Sequence, residues 1–476
     1  MCEKSFVNVI CLYNWGNTKG EAMLRKMTRV DATQGSLVRL ILLYTIPLIC
    51  SALIQKLFNA VDIVVLGNMA DSAAVASVGA TTTIIHLIVN TFFGLSAGTR
   101  VILSRQIGAR DDSGVKQTVD TSLMMATVLG ILIAVVGFLC APTFLQLTNC
   151  PEDCIDGAAL YIRLYLCAAP AILLYNFGAA ILNASGDTQR PLLYIITSGF
   201  LNVVLNVILC LILPQKVAAV AIATAASQVL SAILVCIRLC RMDGYGKVVL
   251  SKMRWRVKSF LQILRQGAPI ALTHALFPLA NLQIQSAINS FDVHAVAGNS
   301  AASTIGEMVT SFTGAFATTT TTFMGQNMGA EKPERVKKSL LYCFSFAILI
   351  GTILGSLVYL NGRTLLSLIL SNDEAAIEYA MIRLFYIALF YGIQAANGVL
   401  GHSIQAYGYP IYSAVNSIFF TLGFRVIWMT FVYPRYQTFS SLMLCFTVSW
   451  ILILLFNIVG TVVLTLRYQK GKYKRI

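Results

Sequence analysis

The sequence contains little charge and few of the motifs that enzymes use. Only 12% of its 476 residues are Asp, Glu, Lys or Arg, whereas 57% are hydrophobic, and the mean hydropathy is +0.74. It has no Cys/His cluster with metal-site spacing, no phosphate-binding glycine loop, no nucleophile motif and no paired carboxylates within an apolar segment. We therefore expect neither an enzyme nor a soluble domain, and no cofactor.

Apolar stretches recur along the chain. Each holds about 20 residues, which is long enough to cross the hydrocarbon core of a bilayer as a helix. A lipid-exposed open sheet would leave backbone groups unpaired, so the Val/Ile-rich runs are also interpreted as helices. We predict an all-α membrane protein with twelve transmembrane helices. The predicted spans are residues 38–66, 73–104, 116–141, 158–184, 191–213, 217–240, 258–289, 295–324, 338–360, 375–405, 411–433 and 440–466.

The two halves of the chain repeat one another. Gly-Ala-Arg at residues 108–110 is followed five residues later by Val-Lys, and Gly-Ala-Glu at residues 329–331 is followed by Val-Lys at the same spacing. Tyr-Ile-Arg-Leu-Tyr at 161–165 is echoed by Met-Ile-Arg-Leu-Phe at 381–385. Two related halves in a membrane chain indicate a transporter, because a site between repeats is easily opened to alternate sides.

This repeat predicts two pseudo-symmetric lobes of six helices each. The N-lobe is expected over residues 37–245 and the C-lobe over residues 258–468, joined by a cytoplasmic loop at 246–257. A polar leader at 1–36 and a basic tail at 469–476 flank the lobes. The leader lacks an apolar core as long as a cleaved signal sequence requires.

The net charge of +15 at pH 7 is concentrated in alternate loops. Basic residues precede the first span, follow the second, fourth, sixth and eighth, and close the chain. This alternation follows the positive-inside rule with both termini in the cytoplasm. We expect the basic loops to contact anionic lipid headgroups and not nucleic acid, and the chain to be a multi-pass protein of the cell (plasma) membrane.

Most of the twelve cysteines lie inside the predicted spans, where a small apolar role is the usual one. Cys150 and Cys154 share a loop that is predicted to face outward. Their four-residue spacing leaves open whether they form a disulfide.

Asp62 is the leading candidate for a functional residue. Gln55, Asn59 and Asp62 follow one another at i, i+4 and i+7 in the first span and share one face of the helix. A carboxylate within the membrane is costly and marks an ion site by default. It can bind a proton or a sodium ion and release it when its surroundings change. The alternative is that Asp62 is merely solvated near the outer end of the helix.

Three amides add polar groups to the same half. Asn176 is alone in the apolar fourth span, and Asn202 and Asn206 form an i, i+4 pair in the fifth. Buried amides often only tie helices together by hydrogen bonds. Because three spans of one half each carry such a group, a shared polar cavity is the favoured interpretation.

These residues resemble those of multidrug and toxic compound extrusion (MATE) transporters, and the likeness extends from Gly35 to Arg467. The most similar segments are residues 47–67, 202–206 and 325–330. The resemblance implies twelve helices in two six-helix lobes with a V-shaped cavity between them. It also implies export driven by inward flow of protons or sodium.

Residue by residue, Asp62 matches the acid in the first helix that many members use for cation coupling. Gln55 matches the amide before it, and Pro47 matches a proline at which that helix can bend. Polar partners in the fourth and fifth helices are matched by Asn176 and Asn202.

The chain departs from both branches of the family that it most resembles. DinF-like members often have Asp at the position of Asn206, so a second titratable group is missing and the coupling ion stays open between proton and sodium. The acids that NorM-like members carry in the seventh and tenth helices have no counterpart. We place the chain closer to the DinF-like branch.

The second half has fewer candidates. Glu307 lies well inside the eighth span and is the alternative coupling acid, or else one partner of a helix–helix ion pair or hydrogen bond. Arg163 and Arg383 are expected to reach toward the membrane interface. The pattern assigns no role to Lys56 or Arg425. Side chains that either line the cavity or pack helices together are His86, Asn90, His274, Asn281, Gln285 and Asn397.

The sequence therefore predicts a monomeric exporter of amphipathic, cationic small molecules in antiport with protons or sodium. The alternative is a flippase for lipid-linked saccharides, which would need a strongly cationic cavity to hold pyrophosphate. Few basic residues are expected inside the spans, and this weighs against the flippase.

Overall fold

The computed structural model describes residues 29–69, 72–147, 152–242, 244, 246–371 and 373–470, and within them it contains helices, turns and no β-strand. The helices of the first half are α1 (Leu37–Met69), α2 (Ser72–Gly108), α3 (Asp112–Leu147), α4 (Glu152–Cys167), α5 (Ala169–Ala184), α6 (Gln189–Ile212) and α7 (Lys216–Cys240). Those of the second half are α8 (Val257–Asn289), α9 (Val293–Gly329), α10 (Pro333–Leu360), α11 (Gly362–Leu370), α12 (Glu374–Ile387), α13 (Tyr391–Ala406), α14 (Pro410–Ile418), α15 (Phe424–Ile427) and α16 (Phe439–Gln469). Short 3₁₀ helices lie at Leu250–Lys252, Ala388–Phe390 and Tyr433–Arg435, and π-helical turns at Phe419–Gly423 and Trp428–Val432.

These helices form the twelve predicted spans in two lobes. In the described residues nine helical segments are long and apolar enough to cross a membrane, with α12–α13 and α14–α15 each counted as one. The pair α4–α5 makes a tenth span that bends by 48°, and α8 and α9, with 33 and 37 residues, complete the set. The prediction of an all-α membrane fold is confirmed.

The bend between α4 and α5 has a local cause. Pro170 is the second residue of α5, in its first turn, and Ala168 is the N-cap of that helix. A proline lacks the N–H that would continue the hydrogen-bond ladder of α4, so the chain restarts in a new direction. By contrast, α1 runs through Pro47 as one continuous helix, and the Ser51 hydroxyl donates to the Pro47 carbonyl at 2.8 Å.

The two halves end equivalent helices in the same way. Arg110 after α2 and Glu331 after α9 both adopt the left-handed conformation, with φ of 55° and 54°. Gly186 after α5 and Gly408 after α13 do so as well, with φ of 86° and 83°. At each site backbone N–H groups turn back to the last carbonyls of the helix. The repeat seen in the sequence is therefore also a repeat of backbone geometry.

Each lobe is held together by its own apolar core. In the first half, Ile162 of α4 and Phe177 of α5 are fully buried. In the second half, Leu384 of α12 and Leu442 of α16 are buried to the same degree. The first core also includes Ile263 and Ala271 of α8, so apolar packing continues from the first lobe into the second where α2 meets α8.

The lobes meet along α2, which packs against α8 and α9. At Gly98 a Cβ atom would lie 2.5 Å from the Gly267 backbone nitrogen, so the two backbones approach as closely as glycine permits. Farther along α2, toward its N-terminus, Gly79 has no neighbouring atom within 4 Å and His86 is exposed. The lobes thus touch over one half of their height and separate over the other, which leaves an interlobe cleft.

The closed side of the cleft is the end at which α2 and α9 finish, here called the basic end because Arg105, Arg110 and Lys332 lie there. Gln326 of α9 accepts from the Ala32 backbone N–H at 3.0 Å and donates to the Ala184 carbonyl at 2.8 Å. This fully buried amide therefore joins α9 to the first lobe and to the segment before α1. The cleft opens toward the opposite end.

Candidate functional site

Asp62 lies at the centre of a polar cluster that is built within the first lobe. The Asn206 side-chain amide on α6 donates to the Asp62 carboxylate on α1 at 2.5 Å. Asn206 also donates to the Asn202 side-chain oxygen at 3.3 Å, and Asn202 donates to the Thr224 hydroxyl on α7 at 3.4 Å. The i, i+4 spacing of the two asparagines places both on the face of α6 that meets α1 and α7.

A tyrosine from a fourth helix completes this cluster. The buried Tyr161 ring on α4 stacks on Tyr165 with a centroid distance of 6.1 Å, and its hydroxyl is close to Thr224 and within electrostatic reach of Asp62. The sequence interpretation missed Tyr161 and Thr224. Tyr161 and Tyr165 are one helical turn apart in the segment that is repeated between the halves, and this pattern could have pointed to Tyr161. No sequence pattern pointed to Thr224.

The cluster holds an oxygen atom that is suited to a cation. The side-chain oxygen of Asn206 is fully buried and has no hydrogen-bond partner. A buried oxygen without a partner is unfavourable by about 1–3 kcal/mol. The Asp62 carboxylate and the side-chain oxygens of Asn202 and Thr224 belong to the same hydrogen-bonded cluster, and oxygen atoms are the donors that hard cations prefer. Among the described residues no group of three or more His, Cys, Asp and Glu side chains could hold a metal ion.

The other amides assigned to this site are not bonded to Asp62 in the structure. Gln55 and Asn59 are exposed, and Asn176 donates to the Ile172 carbonyl of its own helix at 3.0 Å. On a helix of 100° per residue, Asn59 lies between the direction of Asp62 and that of Lys56. Because Lys56 points to the second lobe, Asn59 faces the cleft.

Lys56 and Glu307 form an ion pair between the lobes. The Lys56 ammonium on α1 lies 2.7 Å from a carboxylate oxygen of Glu307 on α9, with exposed side-chain fractions of 34% and 64%. The pair crosses the open part of the cleft. The structure thus gives Lys56, which the sequence left without a role, a partner, and Glu307 is a member of an ion pair.

Two arginines lie inside the second lobe. Arg383 donates to the Asn299 side-chain oxygen at 2.6 Å, and its guanidinium lies over the Phe446 ring at 5.6 Å. Arg425 is 1% exposed and donates to the Asn281 side-chain oxygen. Neutral acceptors and an aromatic ring of the second lobe therefore hold Arg383, and its reach toward the membrane interface stays a prediction.

The expectation of few basic residues within the spans needs correction. Besides Lys56, Arg383 and Arg425, the α2 residue Arg100 is 4% exposed, and its Nε atom has no hydrogen-bond partner. The described spans therefore contain these four cations as well as the carboxylates of Asp62 and Glu307.

The remaining candidates in the second lobe mostly pack helices. Gln285 donates to Asn289 at 2.8 Å and accepts from Asn299 at 3.4 Å. Asn397 donates to the Trp450 carbonyl at 2.8 Å. His274 contacts Phe93 of α2 edge to face with a centroid distance of 5.9 Å. In the first lobe, His86 is exposed and Asn90 is half-buried. Cys150 lies outside the described residues, so whether it pairs with Cys154 stays open.

Comparison with known proteins places this architecture in a family. The MatE family model matches residues 47–208 and 269–429, one match in each lobe. The Probable multidrug resistance protein YpnP of Bacillus subtilis (strain 168) is 25% identical over 382 residues, which cover 80% of this chain and 85% of that protein. A FAD transporter of Shewanella oneidensis is 23% identical over 357 residues, covering 72% and 77% of the two chains.

A solved structure shares the whole fold. It is that of a MOP superfamily transporter from Pyrococcus furiosus, described as having a binding pocket of reverse polarity. That protein is 23% identical to this chain and superposes with a TM-score of 0.84, covering 96% of this chain and 100% of its own. The two family matches fall on the two lobes of this same fold, and together they span more than half of the chain. The chain therefore belongs to the MatE family, the MATE transporters.

Proposed function

We propose that this protein exports amphipathic small molecules across the cell membrane in antiport with protons or sodium, and that Asp62 carries the coupling ion. The single observation that supports this most is the Asp62 cluster. A half-buried carboxylate is bonded to Asn206, and the buried oxygen of that same amide has no partner. A proton on Asp62, or a sodium ion among these oxygens, satisfies groups that are otherwise costly in a membrane.

The geometry suggests how ion binding at Asp62 affects the contact between the lobes across the cleft. Asp62 and Lys56 are six residues apart on α1, which corresponds to about 9 Å along the helix axis. Asp62 binds α1 to α6 within the first lobe, whereas Lys56 binds α1 to Glu307 across the cleft. A change of charge at Asp62 that moves α1 would therefore also change the Lys56–Glu307 ion pair between the lobes.

The present form is that of a transporter open on the side opposite the basic loops. If those loops face the cytoplasm, as the positive-inside rule predicts, the cleft opens outward. Both termini then lie in the cytoplasm. We place the chain in the DinF-like branch, because its acid lies in α1 and the NorM-like acids are missing, and we propose that it works as a monomer.

The cargo is a small molecule of the kind that MATE relatives export. Relatives are named for multidrug resistance and for FAD transport, so family membership leaves the charge of the cargo open. A flippase of lipid-linked saccharides is not favoured, because the relatives reported above are named for small-molecule cargo.

The test is uptake of a fluorescent cationic dye into everted vesicles, driven separately by a proton and by a sodium gradient. Wild type should accumulate dye under at least one gradient, and Asp62→Asn should fall to the level of vesicles without the transporter. Glu307→Gln is the matched control, since it neutralises the other acid that faces the cleft. Transport lost only in Glu307→Gln would move the coupling ion to the second lobe, and wild-type uptake by Asp62→Asn under both gradients would refute the proposal.

A further inference from the structure

The second lobe contains two positive charges without an acidic partner. Arg425 on α15 is 1% exposed, and its Nε atom has no hydrogen-bond partner. Arg383 on α12 lies within electrostatic reach of it. The ion pairs in the described residues involve neither arginine, and no carboxylate oxygen of those residues lies within 4.0 Å of either guanidinium.

The groups around these two charges are neutral. Arg383 donates to Asn299 at 2.6 Å and to the Ser303 hydroxyl at 3.4 Å, and Arg425 donates to Asn281. The Phe446 ring lies between them, 5.6 Å from the Arg383 guanidinium and 4.3 Å from that of Arg425. Amide oxygens and an aromatic face orient a guanidinium but do not neutralise its charge.

The neutral contacts do not compensate the cost of burying two positive charges, so an anionic partner is missing from this arrangement. The cation–π contacts with Phe446 offset only part of the cost of burying the two guanidinium groups. A buried charge without a counter-ion is unfavourable by several kcal/mol, even after relaxation of its surroundings. Glu307 is within electrostatic reach of Arg383, but its carboxylate is already paired with Lys56 at 2.7 Å. The three cations Lys56, Arg383 and Arg425 against one acid leave an excess of two positive charges.

We propose that the second lobe binds an anionic group, a carboxylate or a phosphate, carried by an amphipathic aromatic molecule. Arg383 is the contact residue, because its side chain is partly exposed and its planar fork matches two oxygens of such a group. Arg425, which is almost fully buried, supplies a second positive charge, and the Phe446 ring contacts both guanidinium groups. The inference rests on the proposed function, since it assigns the cargo of the same cleft, and it adds a negative group to the cargo expected from the sequence.

The test compares two dyes that differ only in this group, a rhodamine with a free carboxylate and its ethyl ester. Binding to the purified full-length protein in nanodiscs is measured by fluorescence anisotropy without any ion gradient. Wild type should bind the carboxylate at least about tenfold more tightly than the ester, since a hydrogen bond to a charged group contributes about 1.5–3 kcal/mol. Arg383→Gln should remove this preference, and Arg383→Lys should retain part of it.

The first lobe offers a matched control. Arg163 occupies the equivalent place in the repeat and lies over the Phe138 ring, so Arg163→Gln should keep the full preference. Equal binding of the two dyes by wild type, or an unchanged preference in Arg383→Gln, would overturn the proposal. The carboxylate preference is a ratio of two affinities measured without an ion gradient, so its loss in Arg383→Gln is expected whether or not Asp62 carries the coupling ion. A failure of the coupling proposal is therefore distinguishable from a failure of this one.

A second arm identifies the source of the anionic group. Nanodiscs of phosphatidylcholine are compared with nanodiscs that contain phosphatidylglycerol. Weaker binding of the carboxylate dye in phosphatidylglycerol, seen in wild type and not in Arg383→Gln, would assign the group to a lipid phosphate at the same site. Equal binding in both lipids would assign it to the cargo.

Discussion

The two lobes share one scaffold but surround different charged groups with their polar side chains. In the first lobe a single carboxylate, Asp62, is surrounded by amide and hydroxyl groups. In the second, two guanidinium groups, Arg383 and Arg425, are surrounded by amides and aromatic rings. The helix ends and turns of the two lobes nevertheless match closely. The backbone frame is therefore repeated between the lobes, whereas the charged groups that it surrounds differ.

Among these predictions we expect the largest effect from a substitution that removes the hydrogen-bond partner of Asp62. Asn206→Leu keeps the number and branching of heavy atoms in this fully buried side chain but loses the donor to Asp62 and the unpaired oxygen. We expect gradient-driven dye uptake to fall about 10- to 100-fold, which corresponds to about 1.4–2.8 kcal/mol. The control is Asn176→Leu in the same lobe, whose amide bonds only to its own helix and which should keep most of the uptake. Similar losses in both variants would show that the Asp62 cluster has no special role.

The second prediction concerns the contact between the lobes. In Gly98→Ala the new methyl group would lie 2.5 Å from the backbone of Gly267, so α2 and α8 must move apart. We expect a loss of about 1–3 kcal/mol in stability, measured as a lower melting temperature in detergent. Gly79→Ala lies on the same helix with no atom within 4 Å and should be neutral or slightly stabilising. Equal melting temperatures for the two variants would contradict the close packing of the lobes at this point.

The third prediction separates stability from binding in the second lobe. Arg425→Met replaces a buried charge without an acidic partner by an apolar side chain of similar length. We expect it to raise stability by about 1 kcal/mol, seen as a higher melting temperature without ligand, because replacing a buried charge by an apolar group often stabilises. Binding of the carboxylate dye should weaken in the same variant. A lower melting temperature would mean that Arg425 already has its charge compensated.

The smallest expected effect is at the ion pair between the lobes. Lys56 and Glu307 are partly exposed, and exposed pairs contribute about 0.2–1 kcal/mol. The double-mutant cycle of Lys56→Gln and Glu307→Gln should therefore give a coupling energy below about 1 kcal/mol in thermal unfolding. A coupling energy clearly above about 1 kcal/mol would contradict this prediction and would mean that the ion pair holds the two lobes together.

Much of this comparison was readable in the sequence. Apolar length predicted the twelve spans, and repeated loops predicted the two lobes. Helical periodicity also brought Asn202 and Asn206 onto one face, where both join the Asp62 cluster. It did not predict that Gln55 and Asn176 lie apart from that cluster, because periodicity tells which residues share a face but not which helix that face meets.

The second lobe was harder to predict for the same reason. Lys56 and Glu307 are 251 positions apart, and no local pattern links them. Arg383 and Arg163 are equivalent in the repeat, and a long basic side chain near a helix end reaches either toward the interface or inward. The position of the Arg383 side chain depends on how α12 packs against α9 and α16. The break at Pro170 was visible as a proline, but its 48° bend was not.

The most direct test measures binding and uptake for variants of both sites in one experiment. Equilibrium binding and gradient-driven uptake are measured for the rhodamine carboxylate and its ethyl ester with Asp62→Asn and with Arg383→Gln. Asp62→Asn should lose uptake of both dyes but keep the preferred binding of the carboxylate. Arg383→Gln should lose that preference but still accumulate the ester. If the two variants lose the same activities, the division of charge between the lobes does not correspond to a division of function.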